Sequence, residues 1–241
     1  MIFIKKLNMP IIPYQFKGFT LAEVLITLGV IGVVAALTLP ALNNKIQEMQ
    51  FISAWKKNYS AFNQATAKIM QDNGGNMADL SCSETANSVN CLTNKYKEQL
   101  DSTKTCAVHA PWGECFHPLA DNYFETVKWL NGLSHIYFNT YPFSCSSSAG
   151  LVLKDGTLVL TNYQDTNCAS GSGASVEGLS NVCGWLTIDI NGFKMPNTVG
   201  KDIYIMLMLK NGLKPAGIGT LAGRCTPTSD GRGCAAKYLY E

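Results

Sequence analysis

The 241 residues carry a formal charge of +2, with 15% charged side chains, 46% hydrophobic side chains and nine cysteines. That balance excludes a disordered polyelectrolyte, and it offers no basic excess of the kind that binds phosphate backbones, so charge gives no reason to expect nucleic acid as a partner. Nine cysteines point to an oxidising compartment and a disulfide framework.

The chain opens on a short basic segment, with Lys5, Lys6 and Lys17, and then turns apolar from residue 19 to residue 42. Residues 24–44 contain no charged side chain, and Glu23 stands alone at the edge of that run. A helix of ~20 residues crosses the hydrocarbon of a bilayer, so the run is long enough to span. A secretory signal fits less well, because its apolar region is ~7–15 residues and ends at a small-residue cleavage site. Basic residues before the span keep the N-terminus cytoplasmic and send the rest of the chain outward. A carboxylate at the rim of hydrocarbon costs several kcal/mol unless a cation meets it, which makes Glu23 a functional residue in want of a partner.

Gly18, Phe19, Thr20, Leu21 and Glu23, followed by the apolar helix with Pro40 near its end, resemble the start of type IV prepilins and type II secretion pseudopilins. The resemblance implies that residues 1–18 are a leader removed after Gly18 by a prepilin peptidase, which also N-methylates the new terminus at Phe19. Met9 is an alternative start to Met1. Glu23 would then pair with the terminal amine of a neighbouring subunit, a pairing that physics favours because opposite charges attract strongly in a low-dielectric seam. The implied partners are other pilin or pseudopilin subunits, the inner-membrane assembly platform and membrane lipid. The implied location is the bacterial inner membrane and then a pilus or pseudopilus. Pro40, with Gly29 and Gly32, predicts a kink or an unwound turn, since proline removes a helical hydrogen bond. Small residues at these positions equally suit close helix packing in lipid.

Beyond the assembly helix of residues 19–44, residues 45–241 form the exported head. Ile46, Met49, Ile52, Trp55, Tyr59, Phe62 and Ile69 recur at mostly three- and four-residue steps, which predicts an amphipathic helix over 45–73 closed by Asn73-Gly74-Gly75. A cysteine-bearing loop region, 74–148, follows, with short helices predicted at 94–100 and 123–133. Residues 151–160 predict a β-hairpin about Asp155-Gly156, and 185–190 and 203–209 predict further strands. Helix first and antiparallel sheet second is an α+β arrangement, with the long helix laid on the sheet of residues 149–241. The pilin resemblance implies the same fold.

Three cysteine pairs share one spacing: Cys82 with Cys91, Cys106 with Cys115, and Cys225 with Cys234. Local loops are the simplest assignment for them, and Cys168 with Cys183 is the next, since both flank a Gly/Ser-rich stretch. Cys145 is then left over. Cys106, His109, Cys115 and His117 could instead bind zinc, although exported thiols tend to oxidise. Asp189, Asn191 and Asp202 bring hard oxygens around a turn, as Ca2+ requires. The other reading is a turn in which the aspartates accept backbone hydrogen bonds. No other cofactor is expected, and no nucleophile elbow, phosphate loop or paired acid and base argues for an enzyme. The expected function is that of a structural pilin or pseudopilin subunit. The alternatives are a minor pilin whose head binds a surface or DNA, and a single-span anchored protein that does not assemble.

Overall fold

The computed structural model describes residues 18–80, 82, 85–137, 140–143, 148–169 and 178–241, with backbone alone for residues 85–87. The chain divides into two compact units, residues 1–46 and 47–241. One helix, α1 (Leu21–Asp72), begins in the first and ends in the second.

In the first unit α1 is apolar on every side and exposed on every side, with Leu21, Leu25 and Leu37 all more than 60% open. No amphipathic stripe exists here for a core to bury; a helix apolar all round calls for lipid or other helices. The helix continues through Gly29, Gly32 and Pro40, with the one backbone donor that proline lacks missing at Pro40. The unwound turn expected there is absent, because the flanking Leu, Val and Ala residues hold the helix on both sides of each weak point.

In the second unit α1 becomes amphipathic and its stripe is covered. Trp55, Phe62, Ala65 and Ile69 are buried. The helix closes where the chain reaches two glycines at φ +93°; Gly75 N–H donates to Met70 O at 2.7 Å, a left-handed closure that glycine makes without strain. A second helix, α2 (Thr85–Gln99), contains the 94–100 segment but begins earlier.

Six antiparallel strands form one sheet, paired in the order β1-β4-β5-β6-β7-β8. They are β1 (Ser102–Cys106), β4 (Ser148–Leu153), β5 (Leu158–Tyr163), β6 (Val182–Asp189), β7 (Ile203–Leu209) and β8 (Gly212–Pro215). The α+β architecture expected from the sequence is therefore present, with a long apolar helix followed by an antiparallel sheet. The β4–β5 hairpin turns through Lys154-Asp155-Gly156, with Gly156 at φ +89° and Asp155 Oδ1 accepting from Thr157 N–H at 3.2 Å. Gly184 in β6 is a close approach of another kind: a Cβ there would lie 2.0 Å from Asn162 O on β5.

Side chains alternate across β5. Val159 and Tyr163 join the core shared with α1 and α2, while Leu158 and Leu160 join a second core with Phe116, Phe124, Val127, Ile136 and Phe143. The second face of the sheet is thus covered by the irregular segment 107–143. That segment includes the small ribbon β2 (Leu119–Ala120) and β3 (Tyr123–Phe124). The helix expected over 123–133 is not formed. Asp121 at φ +48° and Asn122 at φ +66° make a tight turn, and Phe124 N–H bonds to Ile136 O, so the apolar residues that mimic a helical face are buried from extended chain and turns. A short helix, α3 (Cys234–Tyr240), ends the chain, and Trp55 Nε1–H donates to its Ala235 O at 3.0 Å.

Candidate functional site

The N-terminal site is built by local chemistry. Thr20 stands just ahead of α1, and its Oγ1 accepts from Glu23 N–H at 3.2 Å. Glu23 Oε2 returns to Thr20, accepting from both its N–H and its hydroxyl at 2.8 Å. This is a capping box, Thr-x-x-Glu, in which each side chain satisfies the other's backbone donor at the start of a helix. The three-residue spacing of Thr20 and Glu23 carries this role, beyond the pairing expected of Glu23 alone. The carboxylate also sits in the first turn, where the helix dipole favours an anion. Phe19 is 88% exposed directly ahead of it. Gly18, Phe19 and Glu23 are therefore open and adjacent, and Glu23 keeps Oε1 free of the cap. Pro40 lies within the exposed stretch of α1.

The head holds a buried polar cluster. His117 Nε2 lies 2.7 Å from Asp189 Oδ2, with side chains 1% and 0% exposed. Asp189 Oδ1 accepts from Asn191 N–H at 3.2 Å. Asp202 accepts from Asn197 N–H at 2.8 Å and from Thr198 N–H at 2.6 Å, one bond on each oxygen. Burial drives the His117 pKa down to about 4, against the pull of Asp202, and drives Asp189 well above the usual carboxylate range. Asp202 is pushed up to about 7, first by burial and then by the neighbouring Asp189. One proton on the Asp189 side of the pair lets a neutral imidazole accept it, which leaves no uncompensated buried charge there.

The residues expected to hold calcium are engaged with the protein itself, apart from Asn191 Oδ1, which is buried without a hydrogen-bond partner. The oxygens of Asp189 and Asp202 face His117 and backbone N–H groups, and Asn191 uses its side-chain N–H on Met195 O at 3.1 Å. Among the described residues no group of three or more His, Cys, Asp or Glu could hold a metal ion. The turn with aspartates accepting backbone bonds is what forms. His117 differs from the loop histidine expected, because no local pattern links it to Asp189, 72 residues further on. The zinc set is dispersed as well. Cys106 and Cys115 are joined to each other, His109 is exposed at φ +68°, and His117 is committed to Asp189.

Among the described residues four disulfides are present: Cys82–Cys91, Cys106–Cys115, Cys168–Cys183 and Cys225–Cys234. Three close short local loops, and Cys168–Cys183 ties the start of the Gly/Ser-rich stretch to β6. Cys145 lies outside the described residues. Residues 1–17, and with them the leader lysines and Met9, lie outside them too.

Residues 15–39 match the family model of the prokaryotic N-terminal methylation motif. No curated protein and no solved structure matches the chain. The matched segment holds Gly18, Phe19, Glu23 and most of the uncharged run of residues 24–44. With the α+β architecture behind it, the match identifies a prepilin-type start and supports placing the chain in the type IV pilin and pseudopilin superfamily.

Proposed function

We propose that the chain is a structural pilin or pseudopilin subunit, cut after Gly18 by a prepilin peptidase and polymerised through its N-terminal helix. The observation that carries the reading is the methylation motif over residues 15–39, which places Glu23 at the head of an uncharged helix exposed on all sides. The motif belongs to structural proteins rather than enzymes. Before assembly the helix lies in the inner membrane with its N-terminus cytoplasmic, held there by the apolar surface of residues 24–44. On assembly that surface exchanges lipid for the helices of other subunits, and Glu23 Oε1, which the cap leaves open, accepts the methylated amine of Phe19 on a neighbour. Cleavage creates the cation that the carboxylate lacks. An assembly platform and the peptidase, which is also the N-methyltransferase, are the remaining partners. The disulfides suit a head that leaves the reducing cytosol.

Substituting Glu23→Ala tests this. The variant should still be cut after Gly18 and should not enter filaments; a Glu23→Ala chain that assembles as well as the parent would overturn the reading.

A further inference from the structure

The loop between β6 and β7 presents a tip that the head itself does not cover. Phe193 is 49% exposed, Met195 is 60% exposed, and Lys194 between them is open and has no ion-pair partner among the described residues. Two large apolar side chains flanking a cation are costly to leave in water unless something docks on them.

The tip is held rigidly. Asn191 ties both ends of the turn, through its N–H to Asp189 and its amide to Met195 O. Asp202 accepts from the N–H groups of Asn197 and Thr198, and the Asn197 side-chain amide, its nitrogen turned inward, donates to Lys194 O at 2.6 Å. The edge of His117 meets the Phe193 ring with centroids 5.5 Å apart. A preorganised loop loses little entropy on binding, which is how a small patch becomes an effective contact.

The complementary surface is on α1. Its apolar stripe is covered at Trp55 (0% exposed) and uncovered at Met49 (63% exposed). Glu48, beside Met49, is exposed and has no ion-pair partner among the described residues. This part of the helix lies past the uncharged run of residues 24–44, so lipid does not cover it, and its own head does not either. Resting on the filament reading above, we propose that Phe193-Lys194-Met195 of one copy docks on Glu48 and Met49 of a second copy. Lys194 meets Glu48 and the two apolar side chains cover Met49. The two patches differ, so the contact is heterologous, each copy offering one patch to one neighbour and the other patch to the next, as a filament requires.

The test is a charge exchange in the full chain produced in its assembling host, with filament yield as the readout. Lys194→Glu and Glu48→Lys alone should each lower yield roughly two- to fivefold, the range of one exposed ion pair per contact. The double variant should return to about the parental level. Singles that assemble like the parent overturn the proposal. So does a double variant no better than either single, which would assign Lys194 to lipid or to another protein. Glu23→Ala in the same series separates the two readings. If it assembles normally the subunit reading fails; if it alone blocks assembly while the exchange variants have no effect, only this interface fails.

Discussion

His117 Nε2 and Asp189 Oδ2 lie 2.7 Å apart with almost no solvent on either, and they join the irregular layer of residues 107–143 to the end of β6. Thr187 Oγ1 and Trp185 Nε1 make a second attachment, both donating to Pro142 O at 2.9 and 2.8 Å. The added layer is therefore keyed to the sheet by polar contacts as well as by the second apolar core.

Breaking the pair on one side should be costly. His117→Phe leaves the neutral Asp189 carboxyl buried without its partner, and a loss of about 1–3 kcal/mol in denaturant unfolding is expected. His117→Phe combined with Asp189→Leu should cost clearly less than the two single losses added together, because neither variant then leaves a buried polar group alone.

Opposing proton linkages follow from the cluster, His117 on one side and Asp202 with Asp189, both raised above the usual carboxylate range, on the other. The unfolded chain binds a proton at His117 below about 6.5, while the folded chain refuses it until about 4, so this group makes stability rise with pH across that window. Asp202 runs the other way: the unfolded chain releases its proton near 3.8 and the folded chain keeps it to about 7, so stability falls as pH rises between those values. His117→Gln removes only the first contribution. Its stability should fall more steeply from pH 4 to 6.5 than that of the parent, by up to about 1.4 kcal/mol per pH unit for one proton. Parallel curves for the two proteins would show that His117 titrates normally.

The Cys168–Cys183 bond closes the longest of the four disulfide loops, with a sequence separation of 15. Replacing both cysteines with alanine should cost about 3 kcal/mol, chiefly by releasing the unfolded chain. Thermal melting of the two proteins under oxidising conditions measures this directly, and adding reductant should narrow the difference between them.

Trp55 is the residue through which α1 holds its own head. Its ring stacks on Tyr204 at 4.7 Å and its N–H reaches α3. Trp55→Ala should destabilise the head by about 3–5 kcal/mol. Trp55→Phe should cost about 1–3 kcal/mol, since it keeps most of the stacking and loses the bond to Ala235 O. A Phe variant as unstable as the Ala variant would place the whole effect in the hydrogen bond.

Much of the fold was legible because it is written locally. The uncharged run gives the span, the stripe through Trp55 and Phe62 gives the second half of α1, Asp155-Gly156 gives the hairpin, and the residues of β7 coincide with the predicted strand 203–209. The strands β1 and β8 were not read, because Ser102–Cys106 and Gly212–Pro215 are short edges with little alternation and exist through their neighbours. Segment 123–133 was misread because apolar residues three and four apart look helical whether or not the backbone turns between them. At the N-terminus, Glu23 was visible as an isolated charge, but its cap with Thr20 went unread although its spacing is plain. The turn that brings Asp189 and Asp202 together was legible, with its aspartates accepting backbone hydrogen bonds, but the place of His117 beside them was not, since nothing near His117 in the chain points to a partner in β6.

The central claim is that cleavage after Gly18 frees the amine at Phe19 which Glu23 of a neighbouring copy accepts. The intact mass and N-terminal fragments of the chain recovered from sheared filaments test it most directly. The account predicts a chain that begins at Phe19 and carries one methyl group on its terminal nitrogen. A filament chain that retains residues 1–18, or begins anywhere else, would contradict it.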